Sequence, residues 1–237
     1  VSNDGDDSGQ GTEDDPLATP GMAVYKASAG DSVLIHEGSY DNVNVNKQLF
    51  MSSVHYNELD STIISNTILQ SMYFLPSSSG SIINGLTIRD SNDQGGALQI
   101  GNYSEGSSVI INNCHVINNL YGIYVYDESE VIINNCLILN NNYGIDAQNI
   151  SFSTSSITIN NSEISNNTII GINSYQQYLT INNSIISNNS QFSDDNQYAH
   201  PAGINWDYFS NSAGILELDN VQIINNKGTG LKTNSGS

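Results

Sequence analysis

The run Val109-Ile-Ile-Asn-Asn-Cys-His-Val-Ile-Asn-Asn-Leu-Tyr-Gly-Ile123 returns 22 residues later as Val131-Ile-Ile-Asn-Asn-Cys-Leu-Ile-Leu-Asn-Asn-Asn-Tyr-Gly-Ile145, identical at most positions. Further copies begin at Ile157, Leu179 and Leu216 and end on Gly171-Ile172, Gly203-Ile204 and Gly230-Leu231. A weaker copy begins at Ser81 and ends on Gly96-Ala97. Self-similarity at such a period is the mark of a solenoid, because one copy is too small to bury its own apolar face.

Apolar residues alternate within each copy. Val109, Ile111, Cys114, Val116, Ile123 and Val125 fall on every second position of short runs, which is strand periodicity. Asn112-Asn113 and the stretch from Asn118 to Gly122 interrupt the runs, so each copy holds three short strands and three corners. Stacking the copies pairs every strand in parallel, about 4.8 Å apart, over one continuous core. The expected fold is all-β, a single-stranded right-handed parallel β-helix with three-strand coils. Asn suits the corners because it tolerates the left-handed backbone region and hydrogen-bonds its own turn. Stacked Asn amides can also bond from coil to coil as a ladder. The Gly before each Ile fits a corner that needs either positive φ or a close backbone approach.

Charge narrows the partners. The chain has 5 Lys and Arg against 24 Asp and Glu, a net −19. Affinity for nucleic acid comes from cations that neutralise phosphates, so nucleic acid is excluded as a natural partner. The basic cluster that draws a protein to anionic membranes is missing as well. Polyanionic sugars would be repelled unless a cation such as Ca²⁺ bridged them. No run of 18 apolar residues exists, so membrane insertion by a helix is not expected. Low Lys with high Asn and Ser suits a secreted or cell-surface protein.

The pattern Ile-x-Asn-Asn-x-x-Ile-x-Asn-Asn followed by Gly-Ile, over roughly residues 30 to 231, resembles the repeats of the pectate-lyase-like right-handed parallel β-helix superfamily. The stretch from Asp4 to Thr19, and Ala29-Gly-Asp-Ser-Val-Leu-Ile-His-Glu-Gly-Ser-Tyr40 after it, resemble the start of that superfamily. The resemblance implies the architecture more than an activity, since such folds host lyases, hydrolases, esterases, epimerases and adhesins. The organisation follows as an acidic leading segment over 1–15, an N-terminal cap helix over 16–29 and the β-helix over 30–237. Thr19-Pro20 reads as N-cap and first helical residue, with Met22, Ala23 and Ala27 toward the first coil. No cap is legible after Leu231, so further parts of a longer chain, or another subunit, are expected to cover that end.

Three constellations are candidates for chemistry. Asp4-x-Asp6-x-Ser8-Gly9, with Asp15 at the twelfth loop position, resembles a Ca²⁺ loop with Asp4, Asp6 and Asp15 as ligands. Gly11 at the eighth position and Asp at the twelfth depart from that pattern, and a solvated acidic tail is the plainer alternative. Cys114 and Cys136 occupy one inward position in neighbouring coils, within the Cα range of a disulfide. Parallel in-register side chains point the same way, which strains a bridge, so stacked free thiols are the preferred reading.

The third is the strand after the Gly-Ile corner, which the resemblance makes the substrate groove. Its outward positions carry Tyr124, Tyr126, Asp146, Asn173, Tyr175, Asn205 and Asp207, with Tyr208 beside them. The long corner before Gly203 adds Asp194, Asp195 and His200. Long loops on a rigid repeat are where binding concentrates. Tyr faces suit the apolar faces of sugars, and Asp and Asn oxygens suit their hydroxyls. The leading expectation is a module that binds or presents itself to a glycan or cell-surface polymer. The alternative implied by the resemblance is a Ca²⁺-dependent polysaccharide lyase, with Asp194, Asp195 and Asp207 on the metal and Lys232 as base. Asp146 and Asp207 lie roughly 12 Å apart by strand spacing and rise, too far for the paired carboxylates of a glycoside hydrolase. The outward column Ile110, Ile132, Thr158, Thr180, Glu217 lacks the threonine array of an ice-binding face.

Overall fold

The computed structural model describes residues 1–54, 64, 66–91, 96–147, 155–175, 178–190, 202–208 and 214–235. Among these the chain forms three parallel sheets of eight strands each, visiting them in turn. The first sheet carries Ser108–Asn112, Glu130–Asn134, Ser156–Asn160 and Tyr178–Asn182 at its centre. The second carries His115–Ile117, Leu137–Leu139, Glu163–Ser165 and Ile185–Ser187. The third carries Tyr121–Val125, Tyr143–Ala147, Ile170–Ser174 and Ala202–Tyr208. Each repeat stacks on the next without slippage: Ile111 lies on Ile133, Ile133 on Ile159 and Ile159 on Ile181.

The alternation read from the sequence becomes inside and outside. Val116, Ile138, Ile164 and Ile186 form one fully buried column, and Ile123, Ile145, Ile172 and Ile204 another. Burial of each such side chain contributes about 1.5–3 kcal/mol, and stacking alone lets a 22-residue unit collect it.

The corners divide their work between two kinds of Asn. Asn113, Asn135, Asn161, Asn183 and Asn220 at the first corner take φ of 50–54°, and Asn118, Asn140, Asn166, Asn188 and Asn225 at the second take 54–60°. These ten occupy the left-handed region that most side chains avoid. The residue after each second-corner Asn points inward instead. Asn119, Asn141, Asn167 and Asn189 are buried; the Oδ1 of Asn141, Asn167 and Asn189 each accepts both the backbone N–H and the side-chain amide of the Asn one coil before, and Asn119 Oδ1 accepts the Ser91 N–H. A second, half-exposed ladder runs along the first corner, Asn134 to Asn112, Asn160 to Asn134 and Asn182 to Asn160, at 2.8–2.9 Å.

The corner glycines resolve the choice left open by the sequence. Gly122, Gly144, Gly171 and Gly203 do not take positive φ. A Cβ on Gly144 would lie 2.4 Å from the Gly171 carbonyl oxygen and 2.8 Å from Asn167 Nδ2. The glycines are there because successive coils and the inner Asn ladder approach too closely for any side chain.

Leu86, Cys114, Cys136, Ser162 and Ser184 face inward, with Val221 continuing the column, and both cysteines are free and buried. Cys136 Sγ accepts the Cys114 N–H and bonds the Asn134 carbonyl at 3.2 Å; Ser162 Oγ accepts the Cys136 N–H and donates to the Asn160 carbonyl at 2.8 Å. Thiol and hydroxyl therefore fill one role. Replacing Cys136 with Ser should shift the stability by no more than about 1 kcal/mol. Burial and the neighbouring Cys114 thiol also push the Cys136 thiol up. Both cysteines should therefore resist a thiol reagent until the protein unfolds. Rapid labelling of folded protein would show that the column is open to solvent.

Helix α1 (Pro20–Lys26) caps the N-terminal end. Thr19 accepts the Met22 N–H as N-cap, Pro20 opens the helix, and Ala23 and Val24 are buried against the first coil. Lys47 Nζ donates to the Ala27 carbonyl at 2.8 Å, beside the helix C-terminus, where a cation is favoured. The acidic leading segment is folded rather than a loose tail. Ser2 N–H bonds Leu17 and Asp6 N–H bonds Pro16, while Val1 and His36 pair along the edge of the first strand. At the other end Ile215, Leu218, Ile224 and Leu231 are each 38–46% exposed.

Candidate functional site

The outer face of the third sheet gathers the polar and aromatic residues. Register runs one column from Tyr73 through Gln99, Tyr124, Asp146, Asn173 and Asn205 to Lys232. The face therefore assembles from single residues of successive coils, about 4.8 Å apart.

Aromatic rings occupy its middle. Tyr121 and Tyr143 stand at the same repeat position and stack, centroids 4.6 Å apart and planes 13° from parallel. Tyr124 meets Tyr121 edge-on at 5.7 Å and Tyr126 at 4.8 Å, and Tyr126 meets Tyr103 at 4.9 Å. The five rings make one continuous cluster, with Tyr103 81% exposed at its end. Gly96, at φ +92°, makes room for it, since a Cβ there would lie 2.7 Å from Tyr124 Cβ.

Polar groups follow directly. Asn173 donates to Asp146 Oδ1 at 2.7 Å, and Asn205 donates to Asn173 Oδ1 at 2.9 Å. Asp146, Asn205 and Asp207 were expected at the surface, but they are only 4%, 1% and 8% exposed. Asp146 stands in register between Tyr124 and Asn173 and accepts the Asn173 amide. Burial first, and then the Asp146 carboxylate, hold the phenols of Tyr124 and Tyr143 above their ordinary range. For Tyr121, burial comes first, then Tyr143 and Asp146. Tyr175 is raised by burial first, then by Asp207 and then Asp146, so it stands in the field of both carboxylates. The buried Oδ1 of Asn205 has no hydrogen-bond donor among the described residues.

The groove residues named from the sequence thus divide. Tyr124, Tyr126, Asp146 and Tyr175 form one neighbourhood, with Asn205 and Asp207 further along the same face. Lys232 lies one coil beyond Asn205, partly exposed, as its register position predicted. Tyr208 ends the strand Ala202–Tyr208, and its side chain lies outside the described residues. Asp194, Asp195 and His200 also lie outside the described residues. Sequence reasoning missed Tyr121, Tyr143 and Tyr103. The first two were legible as the same repeat position 22 residues apart; Tyr103 sits in a non-repeating loop and carried no signal.

Two of the three carboxylates expected as Ca²⁺ ligands accept backbone N–H groups of the leading segment itself. Asp6 Oδ1 accepts the Ser8 N–H and Asp15 Oδ2 accepts the Gln10 N–H, both at 2.8 Å. The Ser8 amide holds the Asp6 carboxyl below its usual value. The hard cation needs six to eight oxygens. Among the described residues no three His, Cys, Asp or Glu side chains converge, and Asp4 joins no such group. A cleft of about 650 Å³ opens beside this segment, lined by residues including Leu17, Lys26, Ala27, Val33 and Leu34. Lys26 there donates to the Gly9 carbonyl.

No curated protein matches the sequence. The crystal structure of pectate lyase Pel9A superposes with a TM-score of 0.55 at 13% identity, over 99% of this chain and 77% of that one. Pectin methylesterase from Aspergillus niger superposes with a TM-score of 0.53 at 14% identity, over 91% of this chain and 83% of that one. At these identities the likeness is one of fold. Residues 24–152 match the family described as the right handed beta helix region. That match spans more than half of the chain and agrees with its stacked parallel coils, so the protein belongs to the right-handed β-helix family.

Proposed function

We propose that this protein is a secreted or cell-surface β-helix that binds carbohydrate along the outer face of its third sheet. The continuous tyrosine cluster beside the Asp146–Asn173–Asn205 ladder carries the reading. Sugar rings have apolar C–H faces that pack on aromatic rings, and hydroxyls that pair with amide and carboxylate oxygens. A rigid solenoid holds such groups at a fixed rise, which suits a polymer with a repeating unit. The names of the two structural neighbours, a pectate lyase and a pectin methylesterase, support the same ligand class.

The test is Tyr103→Ala combined with Tyr124→Ala on a glycan array. At about 0.5–1.5 kcal/mol per aromatic contact, loss of two rings should weaken binding about tenfold. The fold should persist with a modest drop in melting temperature, because Tyr103 is exposed and Tyr124, part-buried, loses its contacts with Tyr121 and Tyr126. Undiminished glycan binding would put the site elsewhere. Release of unsaturated product from uronate polymers by the intact protein, lost in Lys232→Ala, would make it a lyase instead.

A further inference from the structure

The same face points to a ligand class within carbohydrate, and the inference rests on the binding role proposed above. We propose that it selects amino sugars with a free, protonated amine over neutral or uronate sugars. Three observations carry this.

The first is the ring cluster itself. Ring faces attract a cation through their quadrupole, more strongly where water is excluded. Five tyrosine rings meet here, and the nearly buried Asp146 carboxylate stands in register with Tyr124 among them.

The second is the distribution of charge. None of the five cationic side chains of the protein belongs to the ring cluster. Lys26 and Lys47 are bonded around helix α1, Arg89 pairs with Asp90 at 2.6 Å on the second sheet, and Lys227 and Lys232 belong to the last coil. Lys232 is three coils from Asp146, roughly 14 Å. The loops that carry the rings add acids instead: Glu105 two residues after Tyr103, and Asp127 and Glu128 directly after Tyr126. A uronate would meet repulsion along this face, and an ammonium would meet attraction.

The third is an acceptor that has no donor. Asn205 is 1% exposed and its Oδ1 has no donor among the described residues, in the ladder that begins on Asp146. Such an acceptor calls for a donor that the described residues do not supply.

The experiment compares three oligosaccharides of equal length by calorimetry at low salt: glucosamine, N-acetylglucosamine and galacturonate. The first two differ at one nitrogen, an amine in one and a neutral acetamide in the other, and the buffer is kept acidic enough to protonate the amine. Glucosamine oligomers should bind about tenfold tighter than the acetylated ones, the scale expected of a partly desolvated cation–ring contact. Galacturonate should bind weakest. The comparison is repeated on a variant with Tyr103→Leu and Tyr124→Leu, which keeps apolar volume and removes two rings; its melting curve confirms folding. In that variant the preference for the amine should fall to about twofold or less. A preference that survives the Leu pair reports diffuse attraction to an acidic protein and overturns the proposal. Acetylated or uronate oligomers binding as tightly as the amine overturn it too, while leaving the carbohydrate role standing. Failure of all three to bind removes both.

Discussion

Replacing Ile138 with Asp should abolish the folded state of the middle coils. Ile138 is fully buried in the second sheet, between Val116 and Ile164 in register. The substitution removes an Ile side chain, which costs about 2–5 kcal/mol for large-to-small changes of this kind. It also places an unpaired carboxylate in the core, costing about 3–5 kcal/mol in comparable cases. The two costs together approach the whole stability of an ordinary domain, about 5–15 kcal/mol. A solenoid holds each coil only through its neighbours, so loss of one coil exposes the sheet edges of the next. The expected result is insoluble protein, or a circular dichroism melt without a cooperative transition. Ile138→Val, as control, should cost about 0.5–1.5 kcal/mol and fold normally. A soluble Asp variant with the parent melt would remove Ile138 from the core.

The second large effect is expected at Asn141, a rung of the inner ladder. Its Oδ1 accepts the Asn119 backbone N–H at 2.9 Å and the Asn119 amide at 3.0 Å. Its Nδ2 donates to the Val116 carbonyl at 3.0 Å and to Asn167 Oδ1 at 3.1 Å. With Ala at this position the Asn119 N–H and the Val116 carbonyl lose these partners inside the core. Each buried orphan costs about 1–3 kcal/mol, so a total of about 3–5 kcal/mol is expected. The comparison that gives this meaning is Asn134→Ala on the outer ladder. There the lost bonds, to Asn112 and from Asn160, lie at a half-exposed corner that water can enter. That change should cost at most about 1 kcal/mol. Denaturant midpoints with unchanged slopes measure both. Equal losses at the two positions would mean that the inner ladder contributes no more than a surface bond.

The coil arrangement was legible because it is written locally and then repeated. Alternation at period two separates inside from outside, and the shared spacing of the Asn-Asn corners in five copies leaves one in-register stack that buries the inward apolar positions of the central coils. Thr19-Pro20 announced the cap helix for the same reason, since an N-cap and a first-turn proline act within one turn. The site was legible only in part. Tyr124, Asp146, Asn173 and Asn205 could be placed on one outer column by counting from each Gly-Ile corner, and register confirms it.

What the sequence determined by itself is the architecture: the strand period, the Asn-bearing corners, the inward Cys and Ser column, and an acidic surface that disfavours phosphate. Each of these depends on residue type and spacing along the chain. What only the tertiary structure decided is what the outer face becomes once the coils are stacked. Stacking brings Tyr121 onto Tyr143 and Tyr103 against Tyr126, and it sets a nearly buried Asp146 in register with Tyr124 of the coil before. Stacking also decides that the corner glycines answer to the carbonyl of the next coil rather than to their own φ. Burial and contact across coils depend on positions 22 or more residues apart, and no local propensity carries that information.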